Sequence, residues 1–361
     1  MTLGRLLYFF TDFQGYILAT IIAFVVFIIT TILVFRSSRS ELWKRVVISC
    51  FFTLFLLILI YSCFEAFIRY RYDESDSLGF LRTNGKWFQR HVVYNADFYR
   101  DRNFSTEKKK GVFRIGVLGD SITFGYGINN PEDRFTNVLE KKFRDAGYNV
   151  EVYNLGKSGY DTYNELDEYP VLEKFNFDMY IWQYFLNDAE PRQSKGGKIL
   201  ADERGQKDLP RILSNHSYFF DYIYWRLTAR YDKTFLALRN ADMQQYRDKR
   251  NLEQHKKDIE DLRKKLTSGD KKAYVIIFPF ISLLPNYPAG DIHVLVNKIF
   301  HEQGLQTIDL LDDLKGKRAQ DLVVGRYDYH PDEGVHRLAA ERLFQKILPL
   351  VKEHAKDQKS N

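Results

Sequence analysis

FRIGVLGDSITFGYG, residues 113–127, passes from an apolar run with strand character into a glycine-flanked turn carrying one serine, Ser121. A short apolar run bounded by turn residues suits a buried strand. Similar runs follow at Val150–Leu155, Phe177–Phe185, Ala273–Phe280 and Leu305–Leu311. Segments of helical period separate them. PEDRFTNVLEKKFRDAG (131–147) opens on proline and acidic residues and closes on Gly147, the usual helix punctuation. RNLEQHKKDIEDLRKKLTSG (250–269) sets Leu252, Ile259, Leu262 and Leu266 on one stripe. GDIHVLVNKIFHEQG (290–304) and EGVHRLAAERLFQKILPLV (333–351) complete the series. The alternation predicts an α/β domain with a mostly parallel sheet covered on both faces.

In such a sheet, ligands bind beyond the carboxyl ends of the strands. Ser121 falls there, with Gly119 allowing a tight turn and Gly125 and Gly127 a close backbone approach. By itself it is either a nucleophile or the cap of the next helix. The second strand ends in YNLGKSGYDT, where Gly156 and Gly159 can turn backbone N–H groups toward the same crevice. The G-K-S within it is not a P-loop, because that pattern needs glycine at the position held by Glu151. The third strand ends in YFLND, which places Asn187 at the same edge, as an amide donor or as a plain turn former.

A late loop, RYDYHPDEGVHRLAAERL (326–343), supplies His330 and, two residues earlier, Asp328. Histidine is the base a hydroxyl nucleophile requires, and a carboxylate holds its tautomer. His336 competes for that role but lies inside a helical pattern, where packing or capping is expected.

Together these blocks resemble the SGNH (GDSL) hydrolase family. Gly119-Asp120-Ser121 matches its first block, Asn154 to Gly159 its second, Asn187-Asp188 its third and Asp328 to His336 its last. VVYNADFYRD (92–101) looks like the lead-in of some members. The resemblance implies a three-layer, flavodoxin-like fold around a five-stranded parallel sheet. It also implies Ser121 as nucleophile, His330 as base and Asp328 as its partner. The oxyanion hole would be the Ser121 and Gly159 N–H groups with the Asn187 amide, and no metal or cofactor is called for. Two positions depart from the family pattern: Phe185 stands where glycine is usual, and Tyr327 where the acid commonly stands.

The front of the chain is different. GYILATIIAFVVFIITTILVF (15–35) and VVISCFFTLFLLILIYSCF (46–64) carry no charged residue. Each is about the ~20 residues a bilayer-spanning helix needs. The loop between them, RSSRSELWKR (36–45), holds Arg36, Arg39, Lys44 and Arg45, against Arg5 alone in the N-terminal tail. The positive-inside rule makes that loop cytoplasmic and both chain ends external. The expected protein is thus a two-pass protein of a bacterial cytoplasmic membrane, with its catalytic domain periplasmic or extracellular. Of the net charge of +6, the residues before 73 contribute 7 basic against 3 acidic side chains, so the surplus speaks for membrane topology and not for nucleic acid. Both cysteines, Cys50 and Cys63, lie in the second apolar run, leaving the outer domain without a disulfide or cysteine metal site.

The expected layout is an anchor over 1–72, a polar connection over 73–110 and a hydrolase domain over 111–354. A helical insertion at about 189–245 is rich in charge and aromatics, including SNHSYFFDYIYWRLTARY (214–231). It reads as packing, a lid or a partner surface. Residues 355–361 are expected to fray. Three functions follow: an esterase acting on acylated glycans or lipids, an O-acyltransferase working on a cell-surface polysaccharide with a membrane-bound acyltransferase partner, or an inactive binding component.

Overall fold

The computed structural model describes residues 3–191, 195–204 and 209–360. The chain divides into two compact units, one of Met1–Asp73, Leu81–Thr83 and Lys207–Thr228, the other of Glu74–Phe80, Asn84–Gln206 and Ala229–Asn361.

The first unit is helical. Helices α1 (Leu3–Arg36) and α2 (Glu41–Tyr70) form a hairpin, with Ser40 capping α2 by accepting from the Trp43 N–H. Their facing sides pair Phe24 with Phe55 at 5.5 Å and Thr20 Oγ1 with Ser62 Oγ at 3.0 Å. Both are long and apolar enough to cross a membrane. Helix α3 (Arg82–His91) begins within the residues of this unit and continues into the other.

The second unit holds five parallel strands: β1 (Phe113–Leu118), β2 (Val150–Asn154), β3 (Met179–Phe185), β4 (Lys272–Phe278) and β5 (Gln306–Asp309). Their order is β2-β1-β3-β4-β5, so the chain reverses direction of winding between β1 and β3. The three-layer α/β architecture is the one the alternation predicts. Side chains along a strand alternate faces, and the helices exploit this. Tyr180, Trp182 and Tyr184 of β3 pack with Ile259, Leu262 and Leu266, while Met179 and Ile181 join Phe135, Leu139, Phe143, Val335 and Leu343 on the other face.

The intervening helices are α4 (Ser121–Phe124), α5 (Phe135–Asp145), α6 (Thr162–Leu172), α7 (Lys195–Arg204), α8 (Leu209–His216), α9 (Tyr218–Leu227), α10 (Arg230–Gln245), α11 (Lys249–Leu266), α12 (Gly290–Glu302), α13 (Leu311–Leu314) and α14 (Glu333–Ser360). Three features differ from the sequence reading. The stretch 189–245 is not one insertion, because α8 and α9 belong to the unit of the hairpin while α7 and α10 belong to that of the sheet; residues 192–194 and 205–208 lie outside the described residues. The stretch 73–110 is more than a connection, since it buries Ser75, Asp76, Tyr99 and Arg100. The expected fraying of the C-terminus is replaced by helix as far as Ser360, consistent with the run of strong helix formers Lys, Glu, Ala and Gln.

Candidate active site

The nucleophile turn is built by three independent restraints. Ser121 opens α4, and Asp120 caps that helix by accepting from the Ile122 N–H at 2.8 Å. Gln183, pointing from the middle of β3, accepts through one Oε1 from the Asp120 N–H, the Thr123 N–H and the Thr123 hydroxyl, at 3.1, 3.2 and 2.9 Å. Behind the turn, the buried Arg100 guanidinium donates to the Gly125, Ile128 and His91 carbonyls and lies over the Trp87 and Phe124 rings.

The second block closes on the first. Asn154, at the end of β2, donates to the Thr123 carbonyl at 2.5 Å and the Thr136 hydroxyl at 2.9 Å, and accepts from the Gly156 N–H. Gly159 has φ +82°, the left-handed region that favours glycine. The third block is braced by Asp188, whose Oδ2 accepts from the Phe185 N–H at 2.9 Å.

Ser121 Oγ lies 2.8 Å from His330 Nε2, and His330 Nδ1 lies 2.5 Å from Asp328 Oδ1. With the proton on Nδ1 bound by the carboxylate, Nε2 accepts from the serine hydroxyl. The two-residue spacing works because the loop turns sharply: Asp328 Oδ1 accepts both Nδ1–H and, at 3.1 Å, the backbone N–H of His330. The Tyr327 carbonyl accepts from Ser77 N–H and from the Tyr231 hydroxyl, so the position where the family acid is usual serves here as a backbone anchor. Gly127 leaves room for the acid, because a Cβ there would sit 2.6 Å from Asp328 Oδ2.

Ser121, Gly159, Asn187 and His330 all line one cavity of ≈ 500 Å³. Phe185 lines it too, edge-on to Phe280 with ring centroids 5.0 Å apart. Among the described residues, no three histidine, cysteine or carboxylate side chains gather as metal ligands.

The resemblance is to the GDSL/SGNH lipolytic esterases. No family model matches the sequence, and no curated protein matches it. Among solved structures the chain is similar to TesA, at 16% identity and a TM-score of 0.40, over 66% of this chain and 99% of that one. It is similar to the psychrotrophic esterase EstA from Pseudoalteromonas sp., at 14% identity and TM-score 0.40, over 66% and 98%. A member of the lipolytic protein G-D-S-L family from Veillonella parvula follows at 15% identity and TM-score 0.35, over 64% and 97%. What singles out the cavity is the run of contacts Ser121–His330–Asp328 in this chain itself.

Charge around the site is sharply divided. Burial alone would raise the Asp328 carboxyl, but the His330 imidazole and hydrogen bonds from His330 and Ser75 hold it below its ordinary value. Asp188 is raised well above its ordinary value by burial, then by Glu165 and Asp120, and Glu165 by burial, then by Asp120, itself raised by burial. His336 is fully buried; its Nδ1 accepts from the Phe135 N–H at the start of α5, and burial and the Arg134 charge push it down to about 3. It packs and caps, as expected of it.

Several residues that shape the site escaped the sequence reading. Ser77 Oγ donates to Asp328 Oδ1 at 3.2 Å and accepts from the Tyr329 N–H at 2.8 Å. The Tyr126 ring stacks on His330, 4.7 Å between centroids, while its hydroxyl bonds the Asp76 carbonyl and Asn84. Gln183 had a legible signal, a lone amide inside the apolar run MYIWQYF. Ser77 had none.

Proposed function

We propose that this chain is a membrane-anchored serine ester hydrolase of the SGNH type, acting outside the cytoplasm on acylated glycans or lipids. The observation that carries the reading is the continuous hydrogen-bonded line from Ser121 Oγ through His330 to Asp328, with Ser121 and His330 lining a cavity. In this mechanism Ser121 attacks the ester carbonyl as His330 Nε2 takes its proton. Asp328 stabilises the imidazolium. The Ser121 and Gly159 N–H groups and the Asn187 amide receive the oxyanion. His330 then protonates the leaving alcohol, and water, deprotonated by the same imidazole, releases the acid and frees Ser121.

The anchor reading is supported by the exposure of apolar side chains along the hairpin, such as Leu33 at 63% and Leu57 at 59%, which a core helix would bury. The basic loop 36–45 supports an external catalytic domain. An alkaline phosphatase fusion after residue 72 is then active, and activity only of a cytoplasmic reporter reverses the topology.

The enzyme reading is tested with the purified full chain on p-nitrophenyl acetate and with a fluorophosphonate probe. Hydrolysis and labelling at Ser121 support it. Neither event would leave the inactive binding component. The same residues carry transfer when a sugar hydroxyl replaces water, and transfer to an added glycan in excess of hydrolysis identifies the O-acyltransferase, with a membrane-bound acyltransferase as the partner that supplies acyl groups.

A further inference from the structure

The hairpin unit contains a helix pair drawn from the middle of the chain. Tyr61 and Phe64 occupy the last apolar turns of α2, and the α8–α9 junction meets them there. Phe219 packs against both, edge-on to Tyr61 and tilted against Phe64, with centroids 5.7 and 5.6 Å away, and Phe220 lies 5.6 Å from Tyr61. The Tyr61 hydroxyl bonds Ser217 Oγ at 3.1 Å. One turn further along α2, the fully buried Glu65 accepts from Ser217 Oγ (2.7 Å) and from the N–H groups of Tyr218 (3.1 Å) and Phe219 (2.8 Å), at the positive end of α9. Arg69 bridges Glu65 and Asp12, completing a polar ring around the end of the hairpin.

This junction has a definable depth. Trp43, stacked under Arg39, marks the other end of α2. The rise from Trp43 to Phe64 is about 32 Å at ~1.5 Å per residue, close to the ~30 Å of a bilayer's hydrocarbon core. Tyrosine and tryptophan favour the water–lipid boundary. Helix α9 is rich in them, with Tyr218, Tyr222, Tyr224 and Trp225, and α8 and α9 together leave Ile212 (46%), Leu213 (42%), Phe220 (38%) and Leu227 (81%) exposed.

We propose that α8–α9 is a third, non-spanning membrane element, lying in the outer headgroup–acyl boundary with Ile212 and Leu213 against lipid. It rests on the reading of α1 and α2 as membrane spans. The occupant is the bilayer because the apolar face continues from Tyr61, Phe64 and Phe219, and because the ring of Asp12, Glu65 and Arg69 sets the polar level beside it.

The test uses the full chain in phospholipid nanodiscs, in a Cys50→Ser, Cys63→Ser background. Spin labels are placed singly at Ile212→Cys, Leu213→Cys, Leu57→Cys in the span and Lys298→Cys, whose side chain is 70% exposed on the sheet unit. Collision with lipid-partitioning oxygen is compared with that of a water-soluble nickel chelate. The expected oxygen-to-nickel ratio at 212 and 213 is several-fold above that at 298 and below that at 57. A ratio equal to that at 298, with 57 in lipid, overturns the proposal and leaves the anchor standing. Shielding of 212 and 213 from both agents also overturns it, in favour of a protein partner. An aqueous reading at 57 removes the anchor and the proposal together.

Discussion

Asp328 and Asp188 both lie in the sheet unit with almost no exposed surface, yet the environment shifts their carboxyl groups in opposite directions. Asp328 faces His330 and accepts from Ser77, Ser75 and the His330 backbone, so its ionised form is favoured. Asp188 faces Glu165 and Asp120, and its Oδ2 accepts from the Phe185 N–H. Burial penalises the charged form of both; the neighbours decide the direction of the shift. A buried carboxylate beside a base can serve a reaction, whereas the buried Asp188 carboxyl braces a turn.

The comparison breaks most completely when the imidazole is removed. His330→Ala is expected to lower kcat/KM on p-nitrophenyl acetate by ~10⁴-fold or more and to abolish fluorophosphonate labelling; retained activity would move the base elsewhere. Asp328→Asn keeps the shape but loses the charge and the correct tautomer, and kcat should fall ~10³–10⁴-fold. Asn187→Ala, on the turn that Asp188 braces, should cost ~10²–10³-fold in kcat with KM little changed. A proportional rise in KM instead would make Asn187 a substrate contact.

His336 provides the histidine counterpart to this contrast. Replacing it with alanine should lower stability by about 1–3 kcal/mol, read as a fall in melting temperature, while Ser121 labelling persists. Its proton binding also sets a sign. The folded-state value of about 3 lies below the unfolded ~6.5, so the unfolded chain binds the extra proton between them. The contribution of His336 to stability is therefore present above ~6.5 and lost as pH falls toward about 3. His336→Gln should flatten that part of the melting-temperature profile; an unchanged profile would mean the imidazole is not held neutral. The smallest effect belongs to Asp188→Asn, expected to change kcat/KM by less than ~3-fold, because an amide oxygen accepts from the Phe185 N–H as the carboxyl does. A loss as large as that of Asp328→Asn would erase the difference between the two sites.

Much of the sheet was legible because its signal is local. β1 spans the expected Phe113–Leu118, and β2 and β4 begin within one residue of their expected starts. Each needs only a short apolar run and a turn. The strand-end positions of Ser121, Gly159 and Asn187 followed from the same runs. Ser77 was not legible, because its partner Asp328 lies 251 residues away and nothing around Ser77 marks it. The same holds for Glu65 and the α9 start, which meet across 152 to 154 residues. The polar stretch 73–110 read as a connection because its charges suggested solvent, while its Arg100 in fact satisfies buried carbonyls.

From the sequence alone came the α/β alternation, the apolar hairpin and the residue types a serine nucleophile needs, since periodicity and turn chemistry act over a few neighbouring residues. Only the tertiary structure decided that Asp328, two residues before His330, reaches its Nδ1, that Gly127 opens the space for it, and that α8 and α9 join the unit of the hairpin. Those are matters of distance between remote parts of the chain, and hydrogen bonds and burial form only once folding has brought the parts together.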